Sequence, residues 1–80
     1  MSVTLQEDTI FLAGDCPAQD AATLAELLIQ RRSRSVDASG CTSMHGAVLQ
    51  VFLAFTPHVQ SMPDDPAMRR LFWQALRLIE

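Results

Sequence analysis

Ser33-Arg34-Ser35-Val36-Asp37-Ala38-Ser39-Gly40-Cys41-Thr42-Ser43-Met44-His45-Gly46-Ala47-Val48-Leu49-Gln50-Val51-Phe52-Leu53-Ala54-Phe55 is the stretch on which the fold turns. Residues 33–38 are too few for a helix before Gly40, and with Val36 at their centre they read as a strand. The polar run Ser39-Gly40-Cys41-Thr42 reads as a loop. From Ala47 to Phe55 only Gln50 is polar, so a helix here is covered on most sides, with Thr42 or Ser43 available as its N-cap and Pro57 as its stop. A strand followed by a largely buried helix is half of a parallel crossover.

The flanking segments extend that pattern. Val3 and Leu5 alternate with polar neighbours, Glu7-Asp8 interrupts, and Thr9-Ile10-Phe11-Leu12 follows, the mark of two strands around a tight turn. Gly14-Asp15 is expected to end the second strand. Pro17 suits the first turn of a helix over residues 17–32, whose inner face carries Ala21, Leu24, Ala25 and Leu28. Arg31 and Arg32 would then lie in its last turn, against the negative end of the dipole. Residues 59–62 form a short strand. Pro63-Asp64-Asp65-Pro66 is a turn, a cap and a first-turn proline, and Met68, Leu71, Phe72, Ala75, Leu76 and Ile79 give the final helix one apolar face. The order is β-β-α-β-α-β-α. Helical crossovers require parallel strands, so the expected fold is α/β: a small mixed sheet, made of an N-terminal hairpin plus parallel strands, with helices packed on it. At 80 residues the chain is expected to be a single domain, 1–80.

Composition narrows the function. Nearly half of the residues are apolar but interleaved with charge, and no run approaches the roughly 18 apolar residues of a membrane span. Met1-Ser2-Val3-Thr4 lacks the basic start of a signal peptide. A cytoplasmic protein with no membrane insertion is the expectation, and Cys16 and Cys41 are expected as free thiols. The net charge is −3, with six arginines in two clusters and no lysine. That argues against nucleic acid as a partner, and it removes a phosphate-binding or Schiff-base lysine.

The run from Val36 to Leu49 resembles the signature of STAS domains, the anti-sigma-factor antagonist family. Asp37-Ala38-Ser39 matches the family's Asp-apolar-Ser strand end, and Gly46-Ala47-Val48-Leu49-Gln50-Val51-Phe52-Leu53-Ala54 is similar to the helix start of short bacterial members. Phe11-Leu12-Ala13-Gly14-Asp15 is similar to the stretch ahead of the family's first helix. The resemblance implies a STAS-like fold and a regulatory adaptor or antagonist whose partner is an anti-sigma kinase or sensor kinase. A small subunit that binds the ATPase of a lipid-transport complex is the alternative. Family members switched by phosphorylation carry Asp-Ser where this chain has His45 and Gly46. Gly46 has no hydroxyl, so that switch is absent unless Ser43 stands in through a shifted loop. Longer members also continue into a further strand and helix.

The residues expected to meet a partner are Ser39, Ser43, His45, Gly46, Gln50 and Trp73. His45, at a helix start, is either a poised histidine or a surface contact, and no carboxylate pair or oxyanion donor set accompanies it. Asp37 either binds loop N–H groups or faces the partner. Trp73, among Arg69 and Arg77, either marks a binding patch or folds over the helix edge. Cys41 with His45 is the one conceivable nucleophile pair, and its test is thiol reactivity at neutral pH. Cys16, Cys41, His45 and His58 lack the close, paired spacing of a zinc site. No metal, cofactor or catalytic residue is expected, while an uncovered sheet edge would favour a homodimer.

Overall fold

The computed structural model describes the backbone of residues 2–77 and the side chains of residues 2–75. Its elements are β1 (Val3–Gln6), β2 (Thr9–Cys16), α1 (Gln19–Gln30), β3 (Ser35–Met44), α2 (Gly46–Phe55), β4 (His58–Ser61) and α3 (Pro66–Arg77). The sheet order is β1-β2-β3-β4. β1 runs antiparallel to β2, while β2–β3 and β3–β4 are parallel. This is the mixed sheet with helical crossovers that the sequence pattern implies.

The hairpin closes through Glu7, whose φ of 55° is a left-handed conformation uncommon for a non-glycine residue. Asp8 ties that turn to the far end of α1. Its carbonyl accepts from Ser35 N at 3.0 Å, and its carboxylate accepts from Arg31 Nη1 at 2.8 Å. One face of the sheet supplies Val3, Ile10, Leu12, Cys16, Val36, Ala38 and Cys41 to the core. The helices answer with Leu24 and Leu28, Val48 and Phe52, and Met68 and Phe72. Phe52 and Phe72 meet edge to face with centroids 4.9 Å apart, which fixes α2 against α3. Residues of the opposite sheet face, among them Thr4, Phe11 and Asp37, stay outside this core.

Four expectations are corrected. Ser39-Gly40-Cys41-Thr42 is not a loop: β3 continues through it to Met44. β3 carries an extra residue against β2 between Phe11 and Ala13 and another between Gly14 and Asp15. These bulges break the two-residue alternation from which a strand is recognised. β2 likewise runs on to Cys16, and Gly14 lies inside it at φ +69°, a conformation that favours glycine. α2 is capped by neither Thr42 nor Ser43 but by His45. α1 starts at Gln19 and stops at Gln30, so Arg31 and Arg32 lie beyond its last turn. The carbonyls at that end are met instead by Arg34, whose Nη1 donates to Leu27 O at 2.7 Å. Arg32 Nη2 reaches across to Phe55 O at 3.1 Å, its guanidinium 4.9 Å from the Phe55 ring.

The last helix follows its sequence pattern closely. Asp65 Oδ2 accepts from Met68 N at 3.0 Å ahead of the first-turn Pro66, and Met68, Phe72 and Ala75 are buried. Leu71 departs from the pattern and stays 41% exposed at the flank of the apolar face. The expected packing of Leu76 and Ile79 lies outside the described residues.

Candidate functional site

Parallel strands bring their carboxyl ends, and the helix starts that follow them, to one edge of the sheet, the usual place for sites in open α/β folds. Here that edge is built by the ends of β2 and β3 and the first turn of α2. His45 N donates to Cys16 O at 2.8 Å and docks the start of α2 on the end of β2. His45 Nδ1 accepts from Ala47 N at 3.0 Å, while its carbonyl accepts from Val48 N and Leu49 N at 3.0 and 3.4 Å. The first turn of α2 is thus closed largely by one residue. An imidazole that accepts at Nδ1 carries its proton on Nε2, and the ring is exposed. Gly46 and Gln50, one turn further, are also exposed and extend the ridge along α2.

Ser43 borders this ridge. Its hydroxyl donates to Asp15 Oδ1 at 2.5 Å, which ties the ends of β3 and β2 together on the surface. Below it lie the thiols of Cys16 and Cys41, fully buried with sulfurs 4.0 Å apart. Burial, then the neighbouring Cys41, pushes the Cys16 thiol up from 9.0 to about 12, and burial also raises Cys41. Cys41 Sγ donates to Ser43 O at 3.4 Å and bonds neither nitrogen of His45, whose Nδ1 is already occupied. Cys41 and His45 thus bring together a buried thiol, raised above its ordinary range, and no base bonded to it.

The six expected contact residues do not form one patch. Ser43, His45, Gly46 and Gln50 come together. Ser39 lies four positions back along β3, with a bulge against β2 in between. Its N–H and hydroxyl donate to Asp37 Oδ1 at 3.0 and 2.7 Å, and its carbonyl accepts from Asp64 N at 3.0 Å. Of the two roles read for Asp37, holding neighbouring polar groups is the one its contacts display. Trp73 belongs to a separate groove on α3, lined by Met62, Pro66, Arg69, Arg70 and Trp73 and about 340 Å³ in volume.

Sequence reasoning missed Asp15 as the partner of Ser43, because their pairing depends on the bulged register of β2 and β3. It also missed Met62 and Pro66, although the spacing 62, 66, 69/70, 73 is a helical stripe continued into the preceding strand end. Among the described residues no group of three or more His, Cys, Asp or Glu is arranged to hold a metal, and no helix is long and apolar enough to cross a membrane. Set against models of protein families, against curated proteins and against solved structures, the chain matches none.

Proposed function

We propose that this chain is a non-catalytic cytoplasmic adaptor of the STAS type, which docks a regulatory protein of the kinase class on the ridge formed by Ser43, His45, Gly46 and Gln50. The observation that carries this reading is the double use of His45. It holds α2 to the sheet through its backbone and Nδ1, and it presents an exposed ring at the centre of the ridge. Rigid surface groups on a braced element bind at low entropic cost. The burial of Cys41 and the occupied Nδ1 of His45 favour binding over chemistry at the same edge.

Regulation by phosphorylation has little support at this edge. Gly46 carries no hydroxyl, and a phosphate on Ser43 would face the carboxylate of Asp15, to which that hydroxyl now donates. The mechanism is therefore occupancy: the domain titrates or positions its partner. A standard interface covers about 800 Å² per side, against a total surface of 4814 Å² for the chain.

The test is quantitative capture from a lysate of the source organism on immobilised wild type, His45→Asp and Gln50→Arg. Aspartate is among the best N-caps and arginine is a good helix former, so both variants keep the fold while changing the surface. The expected result is a specific regulatory partner held by wild type and lost at least tenfold by both variants, with urea midpoints no lower than that of wild type. Equal retention by all three proteins overturns the reading. A stoichiometric ATPase in place of a reversible kinase would shift the assignment to a subunit of a transport complex.

A further inference from the structure

The arginines of this chain are put to unequal use. Arg31 pairs with Asp8 at 2.8 Å, Arg32 donates to Phe55 O, and Arg34 donates to Leu27 O and Gln30 Oε1. Arg69 and Arg70 make no side-chain hydrogen bond or ion pair among the described residues, and both are exposed. They stand on α3 at three- and four-residue spacing from Pro66 and Trp73, on the side away from the buried Met68, Phe72 and Ala75. Trp73 is 60% exposed. An exposed indole thus stands beside two guanidinium groups that have no partner among the described residues, in a groove that Met62 and Pro66 also line.

We propose that this groove is a docking site for an acidic peptide segment of a second protein, one that alternates carboxylates with apolar side chains. The inference stands on α3 and Met62 ahead of it and does not depend on the adaptor reading of the β3–α2 edge. Arg, Trp and Met are the residue types enriched where protein interfaces bury most. Guanidinium groups take carboxylates through paired hydrogen bonds, while Trp73, Met62 and Pro66 offer apolar surface to the intervening side chains. The groove is open, with Arg69, Arg70 and Trp73 all exposed, so it cannot enclose a small molecule as ligand pockets do. A peptide lying along the helix gains its contact area from length. The chain's net charge of −3 opposes a long polyanion such as RNA, whose binding depends on extended positive potential.

The chain has a single tryptophan, so its emission reports on the groove directly. Wild-type protein is titrated with an acetylated, amidated peptide of alternating glutamate and leucine. The controls are the same peptide with glutamine replacing glutamate, and a short single-stranded RNA. The expected result is a saturable shift of Trp73 emission with the acidic peptide only, weakened at least tenfold in the Arg69→Gln/Arg70→Gln double variant. Raising salt from 0.05 to 0.5 M, roughly a threefold shortening of the screening length, weakens wild-type binding as well and requires no variant. The proposal is overturned by no saturable response to the acidic peptide, by an equal response to the glutamine peptide, by salt-independent binding, or by tighter binding of the RNA.

Discussion

The β3–α2 edge and the α3 groove both carry exposed polar side chains, yet they differ in how far those side chains are already engaged. At the edge, Ser43 is held by Asp15, and His45 by the N–H of Ala47. On α3, Arg69, Arg70 and Trp73 have no such commitments among the described residues. Exposure and availability are therefore separate properties. The edge offers a rigid shape whose atoms are partly spoken for, and the groove offers charge and aromatic surface with nothing of its own to satisfy. One suits recognition by complementarity of form, the other by complementarity of charge.

The strongest way to break this comparison is to uncouple the two regions. Phe52 of α2 and Phe72 of α3 join them through an edge-to-face contact in the core. Phe52→Ala is expected to cost about 3–5 kcal/mol, and Trp73 emission and far-ultraviolet circular dichroism in urea should then show a single coincident transition at a much lower midpoint. If Trp73 emission changes at lower urea than the bulk of the helical ellipticity, the two faces are energetically independent.

A second test sits beneath the edge. In the unfolded chain Cys16 ionises near its ordinary 9.0, but in the folded protein only near 12. The neutral thiol's contribution is complete below pH 9 and is lost as pH rises towards 12. Urea midpoints should fall across that window with a slope of at most about 1.4 kcal/mol per pH unit from this group, and the slope should flatten in Cys16→Ala. At neutral pH neither thiol should react with a disulfide reagent until urea unfolds the chain. Reaction of the folded protein at the rate of a free thiol would mean that the edge opens.

The cap itself sharpens the contrast. His45→Ala removes the acceptor of the Ala47 N–H and should destabilise by on the order of 1 kcal/mol, whereas His45→Asp should leave stability unchanged or raise it. Equal losses in the two variants would mean that the imidazole packs and does not cap. The smallest effect belongs to α3: Arg69→Gln/Arg70→Gln should move the urea midpoint by no more than about 0.5 kcal/mol equivalent, because both side chains are exposed and bond nothing among the described residues.

Much of this architecture is legible in residue patterns. The hairpin, the crossovers and the amphipathic α3 follow from local periodicity, and Val3, Ile10, Met68 and Phe72 are buried as their patterns imply, whereas Leu5 and Leu71 stay exposed. What the pattern conceals is the second half of β3. Ser39, Gly40 and Thr42 look like loop residues because two bulges against β2 cancel the alternation, and that error moved the helix cap from His45 to Thr42 or Ser43. The candidate site is legible in part for the same reason. Ser43, His45, Gly46 and Gln50 are neighbours in sequence and remain so in space. Ser39, separated from Ser43 by the bulge between Cys41 and Ser43, joins the approach to α3 through Asp64. The Asp15–Ser43 pair depends on strand register and has no local signature.

The ridge at the β3–α2 edge is tested most directly by amide hydrogen exchange of the protein alone and saturated with its captured partner. The expected result is slowed exchange across residues 43–50, centred on Gly46, which is exposed at the start of α2. Protection confined to the β1–β2 hairpin or to the open face of the sheet, with residues 43–50 unchanged, would contradict the placement of the docking surface at His45.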